Sequence, residues 1–207
     1  VDADAIAALD RSGQLNDFAV YGGTIDQRGL QLLAKFSAIE SLAFDCDHSP
    51  LDNQIKQFKN LEYLYLTNPM VDDVFIEQID ALPKLYHLGL TDPVFASAFA
   101  TSATPSVEIV NVSGGTIETG TLSALGRFQG ALGLSSCQLS LSRNEPPDMP
   151  GTTGIGFYQC NLTDEMLMQF SALPKLEWLS IHSGSVTRSG QEAFHAMQPD
   201  VAMDFVR

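Results

Sequence analysis

LEYLYLTNPMVDDVFIEQIDALPKLYHLGL, residues 61–90, holds one structural unit and the start of its copy. Leu61, Leu64 and Leu66 are answered 24 residues later by Leu85, Leu88 and Leu90. Apolar residues at alternate places predict a strand with one face on a core. Val71, Ile76, Ile79 and Leu82 then recur at helical spacing, and Asp72 stands where an N-cap belongs. A strand–turn–helix unit this short cannot bury its own apolar face, so it needs copies of itself.

The copies run through the chain. Paired apolar positions are Phe18/Val20, Leu42/Phe44, Leu64/Leu66, Leu88/Leu90, Val110/Val112, Leu132/Leu134, Ile155/Phe157 and Leu179/Ile181, with first members 22 to 24 residues apart. A weaker ninth strand spans Val201 to Val206. YGGTID (21–26), TNPMVD (67–72), SGGTIE (113–118), YQCNLT (158–163) and HSGSVT (182–187) align without gaps. Each ends on an acidic or helix-capping residue, and Gly or Pro is third in four of them, where the chain should turn. Helical stripes follow at Leu30/Leu33/Phe36, Ile76/Ile79/Leu82, Leu122/Leu125/Phe128, Leu167/Phe170/Leu173 and Phe194/Met197. A helix is doubtful at 91–106. The prolines of 140–152 predict an irregular loop in place of one helix. One domain over 1–207 is expected: a capping helix at 1–13, about eight repeats over 14–200, and a terminal strand at 201–207.

This pattern resembles the leucine-rich repeat family, in its bacterial kind with a helical outer side, as in Leu162-Thr163-Asp164 through Leu173-Pro174-Lys175-Leu176. The resemblance covers about residues 15–206 and implies a non-catalytic recognition scaffold. The position that usually holds Asn or Cys in that family carries Gly23, Asp47, Pro69, Pro93, Gly115, Cys137, Cys160 and Gly184 here, so the usual side-chain ladder is largely replaced. The expected fold is α/β: a right-handed solenoid, or horseshoe, with a parallel sheet on the concave side and helices or loops on the convex side.

Eleven Lys and Arg against 25 Asp and Glu give a net charge of −14. That excess disfavours nucleic acid, whose phosphates would be repelled. It suits a basic partner or simple solubility. No apolar run approaches the roughly 18 residues of a membrane span. A soluble monomer is expected, either cytoplasmic or exported after loss of a leader.

Residues between the paired apolar positions should face the concave side. Aromatics gather there in two groups, Tyr21, Tyr63, Tyr65 and His87, then Tyr158, Trp178 and His182. Exposed Tyr and Trp are typical interface anchors, and they are also good strand formers. Asp45, Gly133 and Gly156 complete the candidate binding face. The strand glycines suggest a bare floor between raised aromatic ends, where a partner's backbone comes close. Asp17 and Asp45 fall on neighbouring strands and are candidates for an acidic edge. His87 and His182 lie four strands apart, roughly 19 Å, too far to share a metal. No nucleophile–base arrangement, cofactor motif or metal spacing emerges. The expected function is recognition of a protein or peptide. The alternative is a structural domain of a larger protein with no ligand of its own.

Overall fold

The computed structural model describes residues 6, 15–48, 53–96, 99, 104–143, 145–182 and 185–206. The expected capping helix at 1–13 lies outside them except for Ile6, which is buried in the core.

Nine strands form one all-parallel sheet: β1 (Asp17–Thr24), β2 (Ser41–Asp45), β3 (Tyr63–Thr67), β5 (His87–Thr91), β7 (Ile109–Ser113), β9 (Ala131–Ser135), β11 (Gly154–Tyr158), β12 (Trp178–His182) and β13 (Ala202–Val206). Their order in the sheet is their order in the chain. The fold is thus α/β around a large parallel sheet. The apolar repeat sets the register. Leu42 pairs with Leu64, Leu64 with Leu88, Leu88 with Val110, Val110 with Leu132, Leu132 with Ile155, and Ile155 with Leu179. A one-residue slip would turn every one of these side chains to solvent.

Helices α1 (Gln27–Leu33), α2 (Asp73–Asp80), α3 (Thr119–Leu125), α4 (Asp164–Gln169) and α5 (Arg188–Met197) cover the buried face. Leu30, Leu33, Ile76, Ile79, Leu122, Leu125, Leu167 and Phe194 join the strand residues in one core. The last residue of each aligned hexapeptide is a helix N-cap. Asp26, Asp72, Thr163 and Thr187 accept from the backbone N–H three residues on, and Glu118 makes no such bond. Met197 does not point inward as its spacing suggests; it is 58% exposed, and Phe194 alone anchors α5 at that end.

The left-handed residue is chiefly the one before the expected Gly or Pro, although Gly115, in the expected third place, is left-handed as well. Gly22, Asn68, Asp92, Gly114, Ser136 and Gln159, each directly after a strand or, for Gly22, within the irregular end of β1, have positive φ. The N–H groups of Asn68, Asp92, Gly114, Ser136 and Gln159 each donate to the last carbonyl of the next strand, which extends the ladder through the turn.

Two short parallel pairs also lie in the crossover layer: β4 (Met70–Val71) with β6 (Val94–Phe95), and β8 (Thr116–Glu118) with β10 (Gln138–Ser140). Among the described residues of 91–106 there is no helix; β6 stands there instead. The proline-rich segment is irregular as expected, yet it begins with β10 and is tied down. Asn161 accepts from the Leu139 N–H at 2.6 Å and donates to its carbonyl at 3.0 Å. Thr119 and Ser123 of α3 accept the N–H groups of Ser142 and Asp148. Met149 is buried against Gly126. What remains open is Arg143, whose side chain is 78% exposed and pairs with Glu165 at the surface. Trypsin should therefore cut after Arg143 before it cuts at Lys175; mass spectrometry of the first fragments checks the order.

No helix among the described residues is long and apolar enough to cross a membrane.

The two faces of one strand give a direct test of the packing. Leu64 is fully buried, and Tyr65 beside it is 40% exposed. Leu64→Ala should lower stability by about 2–5 kcal/mol, as a cavity in a packed core does. Tyr65→Ala should lower it by less. Urea midpoints compare them, and a costlier Tyr65 would contradict the assigned faces.

Candidate functional site

The face of the sheet away from the core carries three rows of side chains, one from each outward position of the strands. The register places Ser41, Tyr63, His87, Ile109, Ala131, Gly154, Trp178 and Ala202 in the first row. Ala43, Tyr65, Gly89, Asn111, Gly133, Gly156, Ser180 and Asp204 form the second. Asp45, Thr67, Thr91, Ser113, Ser135, Tyr158 and His182 belong to the third.

Tyr63 and Tyr65 come together around His87, and a residue the sequence pattern missed, Tyr86, joins them beside Tyr63. The Tyr63 ring meets Tyr86 edge-on at 6.2 Å and lies 6.3 Å from His87, and Tyr65 lies 5.2 Å from His87. Alternation alone would send Tyr86 inward. However, it occupies the place before the first outward residue, where Glu40 and Glu108 are exposed, and it shares their rim position. That shared place was the available signal. Asn111 Nδ2 donates to His87 Nε2 at 2.9 Å, which fixes the neutral tautomer with its proton on Nδ1. Burial among the rings holds the His87 pKa below its ordinary value, because the imidazolium would lose hydration there.

That shift has a sign that can be checked. Native His87 binds a proton less readily than the unfolded chain, whose imidazole titrates near about 6.5. Its contribution is therefore fully present above that pH and is lost as pH falls toward the native value. Urea midpoints measured at neutral and mildly acidic pH should converge in the His87→Gln variant relative to the parent. An equal acid loss in both would assign the effect elsewhere.

Of the second group, Tyr158 and His182 assemble, and Trp178 stands apart from them at the start of β12. The rings of Tyr158 and His182 stack at 4.6 Å and 22°. His182 Nε2 is 2.8 Å from Ser180 Oγ and 3.9 Å from Asp204 Oδ2. Trp178, the only tryptophan, is 37% exposed.

The expected bare floor is absent. A methyl group placed on Gly154 would fall inside the Trp178 indole. One on Gly156 would meet Tyr158 Cε2 at 2.8 Å, and one on Gly89 would strike Tyr65. At Gly133 it would collide with the Asn111 amide. These glycines are seats for the chain's own side chains: the Tyr65 and Trp178 rings lean across a neighbouring strand, Tyr158 folds back along its own strand and Asn111 reaches over with its amide, and each needs a residue without Cβ beneath it.

Tyr21 and Asp45 do not join either cluster. The β1–β2 register breaks between Ala19 and Thr24, and Tyr21 stands in that irregular stretch, 91% exposed. Asp45 accepts from Asn68 Nδ2 and from the Asp47 N–H, so it braces turns. Asp17 pairs with Ser41 and Asp45 with Thr24, which puts these two carboxylates at opposite ends of their strands and not side by side.

Cys46, Cys137 and Cys160 are free and buried. Burial, with the Asp45 carboxylate second, pushes the Cys46 thiol up to about 12. Cys137 is held above its ordinary range by its hydrogen bond to Cys160 and by burial. Cys160 is shifted the other way, held below its ordinary value by that same hydrogen bond with Cys137, so only the Cys46 and Cys137 thiols are buried, protonated and poor nucleophiles. Among the described residues, no group of three or more His, Cys, Asp or Glu is placed to hold a metal ion.

Compared with known proteins, the chain matches no family model and no curated sequence.

Proposed function

We propose that this chain is a leucine-rich-repeat solenoid whose concave sheet face binds a protein or peptide without catalysing a reaction. The observation that carries the reading is the pair of aromatic clusters on the open face of a sheet whose other face is sealed by apolar side chains. Half-exposed rings packed on one another or, for Tyr65, Tyr158 and Trp178, seated on glycine lose little conformational freedom when a partner covers them. The chain-ordered parallel strands at a 22–24-residue period support the solenoid.

The test is affinity capture with the immobilised chain, alongside Tyr65→Ala, Trp178→Ala and a helix-side control, Gln31→Ala. Capture should be lost in the first two and retained in the control. Identical captured proteins for all four would remove the open sheet face as the binding surface.

A further inference from the structure

The two aromatic clusters share a chemical setting. Each stands beside carboxylates, and none of the nine sheet strands carries a Lys or Arg. At the first cluster, Glu62 and Glu108 flank Tyr86 at the strand starts. The Tyr86 N–H donates to the Glu62 carbonyl at 2.9 Å and the Glu108 N–H to the Tyr86 carbonyl at 3.1 Å, so the three hold neighbouring strands. Glu40 extends this row by one strand, since the Glu62 N–H donates to its carbonyl. Toward the other end of the sheet, Asp204 lies beside the His182 of the Tyr158–His182 stack, and Glu177 precedes Trp178 at the start of the same strand.

Among the described residues, Glu40, Glu62, Glu108 and Glu177 form no ion pair. The cations found in polar contacts are engaged elsewhere: Lys84 with Asn60, Arg143 with Glu165 and Arg188 with Glu192. Like charges on adjacent strands repel, and the repulsion is relieved when a cation arrives. The electron-rich faces of Tyr and Trp attract the same species. Anionic polymers and acidic surfaces are disfavoured on the same grounds.

The rings also set a spacing. Tyr65 belongs to β3 but leans over Gly89 of β5, and Trp178 belongs to β12 but leans over Gly154 of β11. Both lean toward the middle of the sheet. From β5 to β11 there are three strand steps, about 14 Å at the usual separation. An extended chain covers about 3.3 Å per residue, so about four residues bridge the gap. In an extended segment, residues i and i+4 point to the same side. Between the rings lie Asn111, Ala131 and Gly133, none of them aromatic or charged.

Building on the recognition reading above, we infer that the open face takes an extended basic peptide segment crossing the strands, with two cationic side chains about four residues apart, one against Tyr65 and one against Trp178.

The probe is a synthetic Gly/Ser peptide with two arginines at i and i+4, followed by the emission of Trp178, the only tryptophan in the chain. The expected result is a saturable change that weakens with added salt. Affinity should fall about tenfold or more for the single-arginine peptide and for Tyr65→Ala protein that retains its circular dichroism spectrum. Calorimetry with Trp178→Ala should show the same loss. If a peptide with glutamate in place of arginine titrates alike, or if the arginine peptide does not titrate at all, the cationic assignment is overturned. Affinity capture still sensitive to Tyr65→Ala and Trp178→Ala would then show that the recognition reading stands without it.

Discussion

Phe157→Ala should lower the free energy of unfolding by about 3–5 kcal/mol, a large share of the 5–15 kcal/mol that holds a typical domain together. Phe157 sits at an inward position of β11, fully buried between its register partners Leu134 and Ile181. Its ring meets Phe170 edge-to-face at 5.3 Å, and Phe170 lies in the short 3₁₀ turn after α4. Truncation removes the transferred surface, the ring pair and the filling of the cavity together. The cavity cannot close easily, because β11 is laddered on both sides. Phe205→Ala gives the contrast: Phe205 occupies the matching place on edge strand β13, half-buried with a neighbour on one side only. Equal shifts of the urea midpoint for the two would mean that the core is not packed as described.

Gly130→Ala should lower stability by about 3 kcal/mol, at the upper end of what overpacking usually does. The added methyl would meet the carbonyl oxygen, carbonyl carbon and Cα of Glu108. All three are backbone atoms. Neither side can give way cheaply, because the same Glu108 carbonyl accepts from the Ala131 N–H at 2.8 Å and the Gly130 carbonyl accepts from Thr153 at 3.0 Å. Relief requires parting β7 from β9 where they begin. Gly120→Ala in α3 is the matched control. A methyl there meets nothing within 4 Å, so the helix should gain about 0.5–1 kcal/mol. Thermal or urea unfolding of the two variants should therefore move in opposite directions.

From β2 to β12 the main ladder was readable from residue spacing, because the paired apolar positions of neighbouring strands are register partners; the break between β1 and β2 was not. A side-chain period of two leaves one register that buries Leu64 beside Leu88 and Val110, and the chain repeats that choice. The N-caps were readable because Asp26, Asp72 and Thr163 supply the oxygen the first turn needs. The small pairs β4–β6 and β8–β10 were not, since strands of two or three residues exist only because a neighbour stands beside them. The left-handed turn residues share no chemistry; Asn68, Ser136 and Gln159 hold the same backbone shape as Gly22 and Gly114. In the candidate site, the aromatic groups were legible from alternation, but their geometry was not. A strand glycine looks the same in sequence whether it leaves a gap or seats a ring, and here Gly154 and Gly156 seat Trp178 and Tyr158.

The order of the strands bears on how fast such a sheet can form. Parallel sheets ordinarily join distant parts of a chain and fold slowly. Here the register partners of adjacent strands in the body of the sheet are 22 to 24 residues apart, as in Tyr63 with His87 and His87 with Ile109. Each closure then opposes folding by only about 3 kcal/mol of loop entropy, and no later step needs a longer one. The mean separation of contacting residues, relative to chain length, is roughly 0.1, a value typical of helical bundles. A nine-stranded parallel sheet of this kind can start at any adjacent pair and grow toward both ends, and it can fray from those ends while its middle stays whole.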